Sequence, residues 1–201
     1  MITQPIIDSF ETKTGIRVHV RPLMAEDAPY LVDLFEHMSS ESRYNRFMQA
    51  IDHIDIDRIW SEAEHIAHLI DGDSYGLVAF VDLPDRGNTP VGSARFVRFS
   101  PQQAEIAVSV RDDLQHMGIG THLLQLLIEA ASEQGIEQLV GIARNSNEPM
   151  WAMLKKLGYR LERQSEGSYS EIVLHISEVR GAANGWPDTA ADYSPEPQLT
   201  G

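Results

Sequence analysis

The 201-residue chain contains no cysteine. It therefore has no disulfide framework, no thiolate nucleophile and no thiolate-ligated metal, and no group it transfers can pass through a cysteinyl enzyme. Basic residues are scarce: 16 lysines and arginines stand against 30 aspartates and glutamates, a formal net charge of −14. Non-specific nucleic-acid binding needs a basic surface to displace condensed counterions, so it is not expected here. An acidic surface raises the local concentration of cationic partners, and it also simply keeps a protein soluble. Long apolar runs are missing too, and the first residues carry no basic segment before Asp8 and Glu11. Neither a membrane span nor a secretory signal is visible, so the expectation is a cytoplasmic protein with no membrane and no nucleic-acid partner.

What remains is an ordinary globular composition, 42% hydrophobic and 23% charged, in a chain of one-domain length. Residues 1–15 read as an N-terminal arm ending at Gly15. Ile16, Val18 and Val20 alternate with Arg17, His19 and Arg21, the period of a half-buried strand that Pro22 ends. Helical spacing follows over Ala25 to Met38 behind acidic Glu26 and Asp27, then over Glu41 to Met48 and Asp57 to Ile70, before an Asp71-Gly72-Asp73 break. Tyr75 to Val81 is a continuous apolar run of strand length, and Val91 to Phe99 reads as its hairpin partner across a turn-rich segment from Leu83 to Pro90. Ala104 to Val110 alternates, with Ile106, Val108 and Val110 on one face and Glu105, Ala107 and Ser109 on the other.

A long helix with Ile119, Leu123, Leu126, Leu127 and Ala130 on one stripe is expected to stop at Gly135. Leu139 to Ala143 is a further short strand. Asn147 is placed to cap a helix carrying Pro149 in its first turn and ending at Gly158, and Ile172, Leu174 and Ile176 mark the last strand. The fold class is therefore a mixed α/β (α+β) single domain over residues 16–178. Residues 179–201 are too polar to offset the entropy of ordering and read as a flexible tail.

The chemistry concentrates at Gln115-His116-Met117-Gly118-Ile119-Gly120, between the alternating strand and the long helix. Glycines let backbone amides approach a ligand closely, and a helix N-terminus favours phosphate or pyrophosphate. A plain turn is the alternative reading. No Gly-Lys-Ser/Thr follows, and Leu123 stands where a dinucleotide fingerprint needs its third glycine, so two other phosphate loops are excluded. His65 and His68, near Glu62 and Glu64, have metal-compatible spacing but no third ligand; no metal is expected. Tyr44, Phe47 and Trp60 are expected to pack the first helices together.

Gln115-x-x-Gly118-x-Gly120 entering a helix resembles the acyl-CoA loop of the GCN5-related N-acetyltransferase (GNAT) family. The stretch from Asn145 to Tyr159, including Asn147-Glu148-Pro149-Met150, is similar to that family's second signature. Arg21-Pro22, Glu26-Asp27-Ala28, Ser40-Glu41-Ser42-Arg43-Tyr44-x-Arg46-Phe47 and Ala104-Glu105-Ile106-Ala107 resemble the acetyltransferase domain of bacterial Pat-type protein-lysine acetyltransferases. The large acyl-CoA-synthetase-like portion of many such proteins has no counterpart in these residues.

The resemblance implies a mostly antiparallel sheet flanked by helices and splayed at the fourth and fifth predicted strands, with acetyl-CoA as co-substrate entering the gap. It implies that backbone groups of Val108, Ser109 and Val110 bind the pantetheine and polarise the thioester. It places the pyrophosphate on the amides of Met117, Gly118, Ile119 and Gly120, counts Gln115 and Thr121 among the residues that bind the co-substrate, and sets Asn147 beside the pantetheine arm. Arg111, Lys155 and Lys156 are either phosphate partners or solvated surface. Glu105 matches the Pat-type catalytic glutamate and is the candidate general base. The position where many relatives carry a tyrosine acid is Leu154. The implied activity is direct acetyl transfer to a primary amine, a protein lysine or a small cationic amine. Arg43 and Arg46 are candidates to orient it, and a homodimer is compatible with the family. A non-catalytic acyl-CoA sensor is the rival reading, disfavoured by the presence of Glu105.

Overall fold

Strand pairing begins earlier than the periodicity indicates. The computed structural model describes residues 5–48, 55–68, 73–83 and 87–179. The tail beyond Val179, the Asp71-Gly72 break and the centre of the 83–90 turn lie outside these. Asp8–Glu11 (β1) pairs antiparallel with Arg17–Pro22 (β2), so part of the expected arm is a sheet edge. An edge strand needs few apolar residues. Here Phe10 suffices, stacked on His122 with ring centroids 3.9 Å apart, while the His122 imidazole meets the Asp8 carboxylate.

A 3₁₀ turn, Ala25–Asp27, leads into α1 (Ala28–Glu36), followed by α2 (Ser40–Phe47) and α3 (Ile56–His68). The Ser39 hydroxyl caps α2 by accepting from the Ser42 amide at 3.2 Å. Strands β3 (Ser74–Leu83), β4 (Gly87–Ser100) and β5 (Gln103–Val110) form an antiparallel meander. Then come α4 (Ile119–Glu133), β6 (Gln138–Arg144), α5 (Glu148–Leu157), β7 (Tyr159–Glu166) and β8 (Tyr169–Val179). The eight strands are ordered β1-β2-β3-β4-β5-β6-β8-β7. The second strand missed from sequence, β7, is the other edge; of its residues only Leu161 is buried, which leaves no alternation to read.

The continuous apolar run in β3 has a structural cause: the strand is covered on both faces. Leu77, Ala79 and Val81 join Leu123, Leu124 and Leu127 of α4 in the main core. Val78 and Phe80 pack against Leu31 and Val32 of α1 and Ala63 and Ala67 of α3. Helices α1 to α3 thus cover one face and α4 the other. Pairing between β5 and β6 is parallel and covers only Gln103↔Gln138, Ala104↔Leu139 and Glu105↔Val140. Beyond that rung β5 stays with β4 as far as Val110, and β6 stays with β8 as far as Arg144. The two halves of the sheet therefore part, and the expected splay lies between β5 and β6. No helix among the described residues is long and apolar enough to cross a membrane.

Candidate active site

The gap opens because the chain after β5 is held away from β6 by its own hydrogen bonds. The Arg111 amide donates to the Val91 carbonyl at 3.0 Å. The Gln115 side-chain nitrogen lies 3.1–3.2 Å from the Val110 carbonyl, the Ser42 hydroxyl and the Asp112 carboxylate. Gln115 therefore braces the loop against both β5 and α2. His116 (φ 62°) and Gly118 (φ 95°) turn the chain in the left-handed region, and α4 starts at Ile119. A helix's first-turn amides have no intrahelical acceptors, so those at this start remain available to an anion.

Two adjoining cavities follow the splay. The smaller, about 290 Å³, is lined by Val108, Ser109, Val110, Gln115, Gly118, Ile119, Gly120, Thr121 and Asn147. The fold thus brings together every candidate acyl-CoA residue except Met117, whose side chain packs on the core and accepts from the Thr14 hydroxyl at 3.7 Å. A Cβ on Gly120 would lie 3.4 Å from Val110 and 3.5 Å from Met153, in the narrow part of this cradle. Asn147 caps α5 as its spacing predicts, its Oδ1 accepting from the Met150 amide at 3.2 Å. Gly158 ends that helix with φ 75°.

The cations at this cavity differ from those expected. Arg111 is 4% exposed and its guanidinium grips the Asp113 carboxylate at 2.9 and 3.0 Å, so it is a buried, paired cation and not solvated surface. That contact holds the Asp113 carboxyl below the usual aspartate range. Lys156 does line the cavity, joined by Lys13, from the stretch read as an arm. Nothing in the sequence spacing signals Lys13. It arrives through the β1–β2 turn.

The larger cavity, about 750 Å³, holds Glu105, the candidate base. Glu105 stands on the last paired rung before β5 and β6 separate and is solvent-exposed. Val97 and Val140 are its register partners, so its side chain faces α2 and α3 rather than α4. Helix α2 supplies the opposite wall through Ser42, Asn45 and Arg46. Burial, with the charge of Arg95 adding to it, pushes the Arg46 guanidinium down to about 10, while Glu105 and Glu62 pull it back up. Arg43 is elsewhere: it ties α2 to the end of α1, donating to the Phe35 carbonyl at 3.3 Å and lying over the Phe35 ring. Phe47 does pack on Phe35, whereas Tyr44 reaches across to the Tyr169 hydroxyl and Trp60 is 38% exposed. Of the three aromatics expected to pack the first helices, Phe47 does so.

Splayed strands and a glycine turn feeding a helix N-terminus accompany a sequence match that shows the class: an acyl-CoA-dependent N-acetyltransferase. The chain belongs to the GNAT family, residues 17–160 matching the acetyltransferase (GNAT) domain. It is 27% identical to Acetyltransferase PA5475 of Pseudomonas aeruginosa over 161 residues, 79% of this chain and 83% of that one. It is 26% identical to Acetyltransferase Pat of Mycolicibacterium smegmatis over 159 residues, 78% of this chain and 45% of that protein. The GNAT domain of S. lividans PAT superposes with a TM-score of 0.72 at 24% identity, covering 84% of this chain and 96% of that one.

Two outcomes follow at the cradle. Gly118→Ala forces a side chain into φ 95° without a steric clash, a strain of about 1–2 kcal/mol. If the loop relaxes to relieve it, CoA affinity falls by about tenfold, measurable by calorimetry. Lys13→Ala combined with Lys156→Ala is expected to weaken CoA binding by about three- to tenfold, and the deficit shrinks in high salt as screening removes the wild-type advantage.

Proposed function

We propose that the protein transfers an acetyl group from acetyl-CoA to a primary amine by direct attack, with Glu105 accepting the amine proton. The observation that carries this reading is Glu105 on the last paired rung before β5 and β6 part, lining the larger cavity, which shares Val108, Ser109 and Val110 of the same strand with the smaller one. The residues fit the co-substrate. The glycine cradle admits a pyrophosphate, Lys13 and Lys156 face the same cavity, and the edge of β5 from Ile106 to Val110 has no strand beside it on the β6 side. Acetyl-CoA supplies an activated acetyl thioester.

The chain's own residues do the rest. An amine is nucleophilic only when neutral, so Glu105 takes a proton from the ammonium, the neutral amine attacks the thioester carbon to form the C–N bond, and the second N–H proton passes to water as the amide forms. The C–S bond breaks and its electron pair leaves on sulfur. Amides on the open edge of β5 stabilise the charge that grows on the carbonyl oxygen. Helix α2 holds the acceptor against the sheet, and the tie from Gln115 to Ser42 and Val110 keeps that helix and the loop in register.

The test is thiol release from acetyl-CoA with each of a panel of amines, paired with mass analysis of the amine. Amine-dependent thiol release with a matching mass gain of one acetyl group in place of a hydrogen supports the reading. CoA binding with no acceleration by any amine would overturn it in favour of a sensor.

A further inference from the structure

We propose that the acceptor is an α,ω-diamine or polyamine whose distal ammonium is held by Glu171; this rests on the acetyl-transfer reading above. The register places Glu105 opposite Val140, and Glu171 opposite Ile142 two residues further along β6. Opposed residues, and residues two apart on a strand, point to the same face. Glu105, Val140, Ile142 and Glu171 therefore stand side by side, and all four line the larger cavity. Strand spacing of ~4.8 Å and a rise of ~3.3 Å per residue put the two glutamates about 12 Å apart on the sheet.

The surface between them is hydrocarbon. Ile142 is 59% exposed, and Phe99, equally exposed, lies on the same wall. A large aliphatic side chain in the open between two carboxylates matches a methylene chain with a nitrogen at each end. Allowing a hydrogen bond of ~2.8 Å at each carboxylate, the matching nitrogens lie about 6–10 Å apart.

The other groups in the cavity agree. Its charged walls carry Glu41, Glu105, Asp112 and Glu171 against Arg46. The Glu171 side chain has no hydrogen-bond or ion-pair partner among the described residues. Arg144, the nearest cation along β6, lies over the Tyr44 ring at 4.9 Å. The side-chain oxygen of Asn45 is buried and accepts no hydrogen bond from the described residues, a ready acceptor for an amine N–H. A free carboxylate on the acceptor meets four carboxylates in this cavity, which disfavours amino acids.

The experiment compares hexane-1,6-diamine, spermidine, hexylamine and a lysine peptide in wild type, Glu171→Gln and Glu166→Gln, a control on β7. Initial rates are paired with calorimetric binding of the same amines to the CoA-loaded protein. Wild type is expected to favour the diamine over hexylamine by about tenfold or more in kcat/KM. Glu171→Gln collapses that ratio toward one through KM, and Glu166→Gln leaves it intact. Turnover without diamine preference, a preference for the lysine peptide, or an unchanged ratio in Glu171→Gln overturns the proposal while acetyl transfer stands. If no amine is acetylated, the acetyl-transfer reading falls, and calorimetry decides the subsite alone. A tenfold loss of diamine affinity in Glu171→Gln supports it, and no loss overturns it.

Discussion

Replacing Glu105 by glutamine is expected to lower kcat by about 10²–10⁴-fold, the usual contribution of a positioned general base. Glutamine keeps the size and hydrogen-bonding reach of glutamate and removes only the ability to take a proton. Glu105 lies on a strand rung paired on both sides, to Val97 and Val140, so its backbone is held by the sheet and the substitution leaves the fork intact. CoA affinity is expected to stay within about twofold, because the acyl-CoA cavity is built from other residues. The deficit should narrow as the pH approaches about 10, where an alkyl ammonium loses its proton unaided. Stopped assays of thiol release across pH, with calorimetry for CoA, check all three parts. A rate within a factor of about two of wild type at neutral pH would move the base to another group.

The largest stability loss is expected at Asp27. Its carboxylate, 2% exposed, receives two hydrogen bonds from the Arg21 guanidinium at 2.6 and 2.8 Å, and one from the Met24 amide at 2.8 Å. Arg21 also lies over the Phe80 ring at 4.7 Å and donates to the Pro22 carbonyl at 2.9 Å. The Asp27 hydrogen bonds raise the Arg21 guanidinium above its already high ordinary value, so it stays charged. Asp27→Ala strands that charge beneath α1, a loss of about 3–5 kcal/mol for a buried pair broken on one side. In a domain of this size it lowers Tm by about 10 °C or more. Glu11→Gln, in the exposed pair with Arg17 at 3.3 Å, is the contrast and should change stability by less than about 1 kcal/mol. Thermal and urea unfolding of the two variants separate the cases. Equal losses would contradict the assignment of Arg21 and Asp27 as the pin between β2 and the first helices.

That pin also explains two short motifs. Arg21-Pro22 and Glu26-Asp27-Ala28 are legible in sequence only as a resemblance to Pat-type domains; the structure gives them a reason, one buried bidentate contact. The glycine loop, the Asn147 cap and the alternation around Glu105 were readable directly. Turn chemistry, capping and strand period act within a few residues, and local sequence reports them faithfully. The splay was implied by family likeness rather than read from the residues, because no local pattern says where two strands stop pairing.

The misses share another cause. β1 and β7 are sheet edges with little apolar content, so their pairing is decided by the neighbouring strand and not by their own pattern. Arg111, adjacent to the loop and basic, suited solvated surface on paper, yet it is buried with two of its guanidinium nitrogens on Asp113. Lys13, remote in sequence, is the one that reaches the cavity.

The sequence by itself determined the one-domain mixed α/β class, the glycine-rich helix entry, the glutamate on a half-buried strand and the acidic balance that suits a cationic acceptor. Only the tertiary structure decided which charges line the cavities, that Glu171 shares a face with Glu105 across Ile142, and that the β1–β2 turn belongs to the candidate acyl-CoA cavity. The physical reason is range. Periodicity and capping are set by neighbours along the chain, whereas burial, ion pairing and cavity walls are set by strands brought together from positions as distant as Lys13 and Lys156.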